Sequence, residues 1–185
     1  MSLVDLTGAY DLHVHSNPEL FLRIGDDLDL ARHASQSGLA GIMIKNHFES
    51  TVGRAALADR MVEGIRVFGG LVLNWFSGGL NPLAAETALR LGARQIWMPT
   101  VDATAHAAAF GQTGDFSHQK SGLKLPRPGI SVLGADDRLK PEIKVIVELV
   151  KEAGAILGTG HLNRNEIFAL ADFALSPFVL QRYYK

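Results

Sequence analysis

The chain has 185 residues, 47% of them hydrophobic and 20% charged, and its formal net charge of -1 gives no electrostatic reason for binding nucleic acid. Its length suffices for one sizeable core, so we expect a single domain over residues 1–185. No run approaches the roughly 18 apolar residues of a membrane span, and the N-terminus lacks the basic-then-apolar order of a signal peptide, so we expect a soluble, cytoplasmic protein that binds no membrane.

Short apolar runs alternate with amphipathic segments along the chain. Asn81 and Pro82 read as an N-cap and a first-turn proline, Pro141 begins another helix, and Gly154 ends it. Apolar strands without strict alternation, each followed by a helix, indicate a parallel sheet covered by helices. The sequence therefore predicts an α/β fold of five βα units, arranged as a parallel (β/α) barrel. The predicted strands are 9–14, 41–45, 65–73, 93–98 and 155–159, and the predicted helices are 26–36, 57–65, 82–92, 141–153 and 164–174.

A long connection, residues 102–139, separates the fourth predicted strand from its helix. It contains Gly, Ser, Lys and Pro and shows no clear periodicity. Loops of this length usually act as lids or are disordered, so we expect a long loop or lid insertion here.

Five βα units are too few for a closed barrel, since an eight-stranded barrel typically has about 250 residues. We therefore expect a barrel that lacks its C-terminal strands, with residues 178–180 as the beginning of a sixth strand. An open sheet edge needs a cover, and a partner chain in a homo-oligomer is one way to provide it.

Polar residues concentrate at the carboxyl ends of the predicted strands, whereas the amino ends are mostly Gly, Ala and apolar residues. In parallel βα folds the chemistry lies beyond the carboxyl ends, so this asymmetry predicts one polar site. Because the chain has no cysteine, any metal must be held by nitrogen and oxygen ligands, for which the seven histidines are candidates. The residues at these ends are His13 to Asn17, Lys45 to His47, Asn74 and Trp75, Thr100 to Asp102, and Thr159 to Asn163.

His13 and His15 are the strongest metal-ligand candidates. Side chains at positions i and i+2 of a strand share a face, so both imidazoles can reach one cation, and Asp11 has the same parity and could orient a ligand. The alternative is a pair of hydrogen-bonded core histidines, which would be costly to bury without partners. We favour the metal site.

Lys45 and His47 share a parity at the end of the second strand, which makes His47 a candidate third ligand, the alternative being an exposed loop histidine. Lys45 could bind a substrate anion, stabilise developing negative charge, bridge metals if carboxylated, or form an ordinary ion pair. His161 follows Gly158-Thr159-Gly160 and is a candidate ligand or general acid/base.

Asp102 could bind metal or accept a proton at the end of the fourth strand. His106 and His118 lie in the long connection, where each is as readily explained as a solvated loop residue. His33 falls within the first predicted helix and is left out of the site.

Residues 11–16, DLHVHS, resemble the strand-one H-x-H signature shared by the metal-dependent amidohydrolase and PHP (polymerase and histidinol phosphatase) superfamilies. Residues 38–47 are similar to the second PHP motif, where a small apolar strand runs into Thr-Asp-His, although Asn46 stands in place of the aspartate. The resemblance implies a TIM-barrel-like metallohydrolase in which His47 binds metal.

Together these features predict a hydrolase in which His13, His15 and His47 or His161 hold a divalent metal. Zinc is the ion most expected, and manganese or iron is an alternative. Asp102 or His161 would move protons and Lys45 would stabilise negative charge on a small amide, cyclic amide, ester or phosphoester substrate. The rival hypothesis is an inactive, incomplete barrel that works as a binding or oligomeric assembly module.

Overall fold

The computed structural model describes residues 5–176. Over that range the chain is a mixed α/β fold in which parallel strands alternate with helices. None of the helices in this range is both long and apolar enough to cross a membrane. The strands are β1 (Tyr10–His15), β2 (Gly41–Lys45), β3 (Arg66–Phe68), β4 (Gly70–Val72), β5 (Gln95–Trp97) and β6 (Ile156–Gly158), and the helices are α1 (Asp27–Gln36), α2 (Val52–Met61), α3 (Pro82–Arg90), α4 (Thr104–Phe110), α5 (Pro141–Glu152) and α6 (Arg164–Ala174), with a 3-10 turn at Trp75–Ser77.

The strands form two three-stranded parallel sheets, β1-β2-β3 and β4-β5-β6. The predicted continuous strand over residues 65–73 was wrong, because Gly69 divides it into β3 and β4. Thr51 causes the break: its hydroxyl accepts the Gly70 N–H at 2.9 Å and donates to the Ile44 carbonyl at 2.8 Å. A side chain at Gly69 would also collide with the Thr51 backbone, 2.6 Å from an ideal Cβ.

Side-chain caps fix the starts of three helices. The Asp26 and Asn163 side chains form capping boxes on α1 and α6, and Asn81 accepts two backbone N–H groups at the start of α3. The second helix was predicted too late in the chain, since α2 ends at Met61 and the buried Val62 is already extended.

The helices cover one face of the strands. Leu71, Ile96 and Met98 pack against α3, α5 and α6 in the larger core, and a second core joins α1 and α2 to β1, β2 and β3. The opposite face carries a smaller cluster of Met43, Val72 and Trp97. Lys45 has the same strand parity as Met43, so it lies on this inner face.

The long connection is more ordered than the sequence predicts. It contains α4, and Ala103 and Ile130 form a parallel bridge, so the segment predicted as a long loop or lid insertion over residues 102–139 includes a helix. Buried Glu166 of α6 holds its far end through the Ser131 hydroxyl at 2.6 Å and the Val132 N–H at 3.1 Å. These contacts span more than thirty residues, which is why local sequence patterns miss them.

The two outer strands, β1 and β6, do not pair with each other within residues 5–176. Tyr10 and Leu12 on β1 are 55% and 45% exposed. The predicted strand at residues 178–180 lies outside the described residues.

Candidate metal centre

A cavity of about 250 Å³ opens at the carboxyl ends of β1 and β2, beside the turn that follows β6. It brings together Lys45 and all four histidines predicted as metal ligands, but it does not include Asp102. Its lining is largely basic, which suits either a metal with neutral imidazole ligands or an anion. The residues that line it are His13, His15, Arg23, Lys45, His47, Phe116, His118, Gln119 and His161.

His13 and His15 face each other, with their Nε2 atoms 3.2 Å apart. Two imidazole nitrogens bound to one tetrahedral zinc, each at roughly 2.0–2.1 Å, lie about 3.3 Å apart, so the pair already has the spacing of two ligands of one ion. The Asp11 carboxylate accepts the His13 N–H at 2.9 Å and so fixes the backbone of the strand end. Burial, with Lys45 nearby, lowers the pKa of His13 to about 4, which keeps its ring neutral and able to bind metal.

Glu19 is a site residue that the sequence analysis missed. Its Oε2 lies 3.2 Å from Nδ1 of His15 and also accepts from the Arg23 guanidinium, while its Oε1 accepts the His47 N–H at 3.1 Å. Burial alone would raise the pKa of Glu19, but the hydrogen bonds from His15 and Arg23 outweigh it and the net pKa is lowered. Nη2 of Arg23 is also 3.2 Å from Nδ1 of His15. Where Nδ1–H donates to the Glu19 carboxylate, Nε2 is left for a metal, the arrangement by which proteins orient histidine ligands.

The loop that carries Glu19 is held by Arg54 of α2. Arg54 donates to the carbonyls of Asn17 at 2.6 Å and Pro18 at 2.9 Å, and it pairs with both oxygens of Asp27 at 2.7 Å. Asn46 adds a further hydrogen bond to the Pro18 carbonyl at 2.8 Å. The position of Glu19 therefore depends on a guanidinium that does not line the cavity.

His47 is buried, and its Nδ1 lies 2.8 Å from the Thr100 hydroxyl, which also accepts from Asn74 at 2.8 Å. Burial, followed by the nearby Lys45 and His15, lowers the pKa of His47 well below its usual range. Ligand atoms of His15, Glu19 and His47 lie within 4.8 Å of one another, so these three residues form a group that could hold a metal ion.

Lys45 is 1% exposed, and its Nζ has no hydrogen-bond partner among the described residues. The ammonium group lies 5.8 Å from the centre of the Trp97 ring. Burial lowers the pKa of Lys45 to about 8. A buried amine without a partner is costly to retain, so its position at the cavity indicates a role that a ligand or substrate completes.

His161 is joined to a second histidine, His106, with the two Nδ1 atoms 3.0 Å apart. His106 is 3% exposed and lies on α4, which excludes the solvated-loop interpretation. The Asp115 carbonyl can only accept, so Nε2 of His106, 2.7 Å away, carries the proton. With both rings neutral, Nδ1 of His106 must accept from Nδ1 of His161. Burial and Lys45 lower the pKa of His161 to about 4, consistent with a neutral ring.

Asp102 does not line the histidine cavity. It is buried and paired with Arg127 at 3.1 Å, and its second oxygen accepts the Trp75 N–H at 2.9 Å. These bonds occupy both carboxylate oxygens, which leaves the predicted proton-transfer role without a geometry to support it. Of the two loop histidines, His118 lines the cavity and His106 supports His161.

The donor set of the cavity suits a divalent ion such as zinc. It offers neutral imidazoles, one buried carboxylate and no thiolate, and nitrogen and oxygen donors of this kind bind zinc, manganese and iron. The cationic Arg23 and Lys45 lie beside these donors, so a bound ion would be accompanied by groups able to hold an anion.

Comparison with known proteins assigns the chain to a family but does not indicate an activity. The model of a family of unknown function, DUF6282, matches residues 8–176. No protein with a curated function matches the sequence. A crystal structure of a Coccidioides immitis protein assigned as a deoxyribose-phosphate aldolase is similar, with 15% identity and a TM-score of 0.49. The match covers 95% of this chain and 59% of that chain, and a similarity of this size carries no information on activity.

Proposed function

The chain belongs to DUF6282, a family of unknown function, and we propose from the chemistry of its cavity that it is a metal-dependent hydrolase. Its substrate is a small amide, cyclic amide, ester or phosphoester. The observation that carries the proposal is the 3.2 Å spacing of the His13 and His15 Nε2 atoms, with a buried carboxylate on the far nitrogen of His15. In the same proposal the five βα units are an incomplete barrel of the amidohydrolase or PHP type.

His13, His15 and His47 would hold the ion, and Glu19 either orients His15 or completes the ligand set. A divalent ion in such a site lowers the pKa of a water molecule and polarises a scissile bond. Zinc fits the donor set best, and manganese or iron remains compatible with it.

The remaining cavity residues have roles that follow from their positions. Lys45 and Arg23 attract an anionic substrate group and stabilise negative charge that develops during hydrolysis. His161 accepts or donates a proton at Nε2, since its Nδ1 is engaged by His106. His161 can serve as a further ligand instead, which would leave proton transfer to water.

The test is hydrolysis of generic substrates by the metal-loaded protein. We expect activity on aryl esters, lactones or phosphoesters that chelation abolishes and added zinc or manganese restores. Lys45→Met and His161→Gln should each lower kcat/KM at least 100-fold, whereas Glu86→Gln, on the exposed side of α3, should not change it. Activity that survives chelation, or absence of activity on these three classes and on anilides and lactams, would contradict the proposal.

A second candidate is an assembly module without catalysis, which the exposed Tyr10 and Leu12 on the open edge of β1 favour. In that case the histidine cavity is a structural remnant. A metal-free protein whose mass shows a stable oligomer, and which hydrolyses none of the substrates, would support this candidate over the hydrolase.

A further inference from the structure

A second, larger cavity of about 480 Å³ lies beside the histidine cavity and has a different character. Its volume is in the range of small-molecule sites, and most of its wall is apolar. The proposed hydrolysis makes no use of it. The residues that line it are Phe48, Trp75, Phe76, Asp102, Leu123, Lys124, Leu125, Pro126, Arg127 and Pro128.

The wall of this aromatic cavity, named here for Phe48, Trp75 and Phe76, leaves apolar surface uncovered. Trp75 and Phe76 are 38% and 40% exposed, and Leu123 and Leu125 are 51% and 81% exposed. Large apolar side chains gathered around one concavity are typical of a binding site, whereas single exposed leucines need no explanation.

The Trp75 ring is held rigidly as one side of the cavity. Its Nε1 donates to the Pro128 carbonyl at 2.8 Å, and its backbone N–H donates to Asp102 at 2.9 Å. Asp102, 4% exposed, also binds Arg127, whose carbonyl accepts from Thr113 at 2.9 Å. The residues around the ring are therefore fixed before a ligand arrives, which favours stacking of a flat ring on the indole.

The charged residues of the cavity wall favour a negatively charged ligand. Arg127 neutralises Asp102 through a 3.1 Å contact, and Lys124 adds a further cation, so the lining carries a net positive charge. A planar ring with an anionic substituent matches both the apolar surface and this charge.

The aromatic cavity and the histidine cavity share their supporting residues. Phe48 directly follows His47, and Trp75 follows Asn74, whose side chain binds the His47 carbonyl at 3.0 Å. The Phe21 ring contacts Phe48 of one cavity and Phe116 of the other, with centroids 5.3 Å and 5.4 Å away. A molecule seated in the aromatic cavity would thus lie next to the histidines.

We propose that the aromatic cavity binds a planar aromatic group bearing a negative charge, and that this group is part of the substrate. The binding site rests on the cavity alone, while its assignment to the substrate rests on the proposed hydrolase function. The two parts can therefore fail separately.

The test of binding uses naphthalene-2-carboxylate and the fluorescence of the metal-free protein. We expect saturable quenching that Trp75→Phe removes and that Leu125→Asp weakens at least tenfold. Lys124→Glu should weaken the carboxylate at least fivefold but leave neutral naphthalene-2-methanol unchanged. The matched control is Leu83→Asp, which changes an exposed leucine on α3 (69% exposed) and should have no effect. Circular dichroism of each variant excludes unfolding as the cause.

Quenching that does not saturate, or that Leu125→Asp leaves unchanged, would overturn the binding site. The substrate assignment predicts at least a tenfold higher kcat/KM for monoesters of naphthalene-2,6-dicarboxylate, which keep one free carboxylate, than for acetate esters of the same alcohol. Equal values would overturn the assignment. Naphthoate binding without any hydrolysis would refute the hydrolase proposal but support the binding site. Hydrolysis of acetate esters without naphthoate binding would support the hydrolase proposal but refute the binding site.

Discussion

Replacing Glu19 with glutamine tests the electrostatic design of the metal centre, because it removes one buried charge and keeps the side-chain size. Glu19 contacts Nδ1 of His15, the His47 N–H and the Arg23 guanidinium. The amide oxygen of Glu19→Gln can keep only part of these contacts, and it no longer favours the orientation of His15 that presents Nε2 to a metal.

The size of the effect depends on whether Glu19 orients a ligand or is one. Both of its oxygens are already engaged in hydrogen bonds, which favours the orienting role. Loss of such a partner typically weakens metal affinity by about 10- to 100-fold, or about 1.4–2.7 kcal/mol. A direct ligand would cost considerably more. We therefore expect a 10- to 100-fold rise in the zinc Kd.

The assay is a zinc titration against a chromophoric chelator of known affinity, with thermal unfolding of the metal-free variant as a check on folding. Glu86→Gln is the control, because Glu86 pairs only with the exposed Arg90 among the described residues. The zinc Kd of this variant should stay within threefold of that of the unmodified protein. An unchanged Kd for Glu19→Gln would refute the orienting role, and a loss greater than a thousandfold would make Glu19 a ligand.

Three further outcomes follow from the same geometry. Lys45→Met should stabilise the metal-free protein by about 1–3 kcal/mol in thermal or urea unfolding, because it removes a buried ammonium without a partner, and a loss of stability would contradict that reasoning. The metal-free protein should lose stability as the pH falls from about 6.5 to about 4, because His161, whose folded pKa of about 4 lies below its ordinary 6.5, binds its proton more readily when unfolded. The fall in the urea midpoint over this range should be smaller for His161→Gln. Gly160→Ala should cost about 2–4 kcal/mol, because Gly160 has φ +58° and an ideal Cβ would lie 2.3 Å from the Met98 carbonyl oxygen. Its control, Gly53→Ala in α2, meets no atom within 4 Å and should stabilise by roughly 0.5–1 kcal/mol.

Local sequence signals predicted the repeating layout of the fold. Helix α6 has the predicted bounds, and the Asp26, Asn81 and Asn163 caps fix the starts of three helices. These signals succeed because hydrophobic periodicity and capping act within one turn or one strand. The break at Gly69 was missed because it depends on Thr51, a residue eighteen positions earlier whose side chain replaces strand hydrogen bonds.

The site was predicted where residues share a strand or follow strand ends, and missed where loops fold over it. His13 and His15 were found from their parity, and His47 and His161 from the rule that parallel strands end at one edge. Glu19 lies in a loop whose course is set by Arg54, and no short-range pattern reports that contact. The available sequence signal for Glu19 was its position four residues after His15.

His106 shows the same limit. Its helix, α4, lies inside a segment whose Gly- and Pro-rich composition conceals it, and its burial depends on contacts with His161 and Phe116. Asp102 shows the opposite limit, because a local signal suggested a role that a distant contact changes. Its position at a strand end predicted a catalytic carboxylate, but Arg127, from the same long connection, forms an ion pair with that carboxylate.

Metal content tests the central claim most directly. Elemental analysis of the purified protein, after incubation with zinc or manganese and removal of the excess, should give close to one ion per chain. A His13→Ala, His15→Ala double variant that retains the circular dichroism of the folded protein should hold none. Absence of metal from both proteins, or equal metal in both, would contradict a centre built on the His13 and His15 pair.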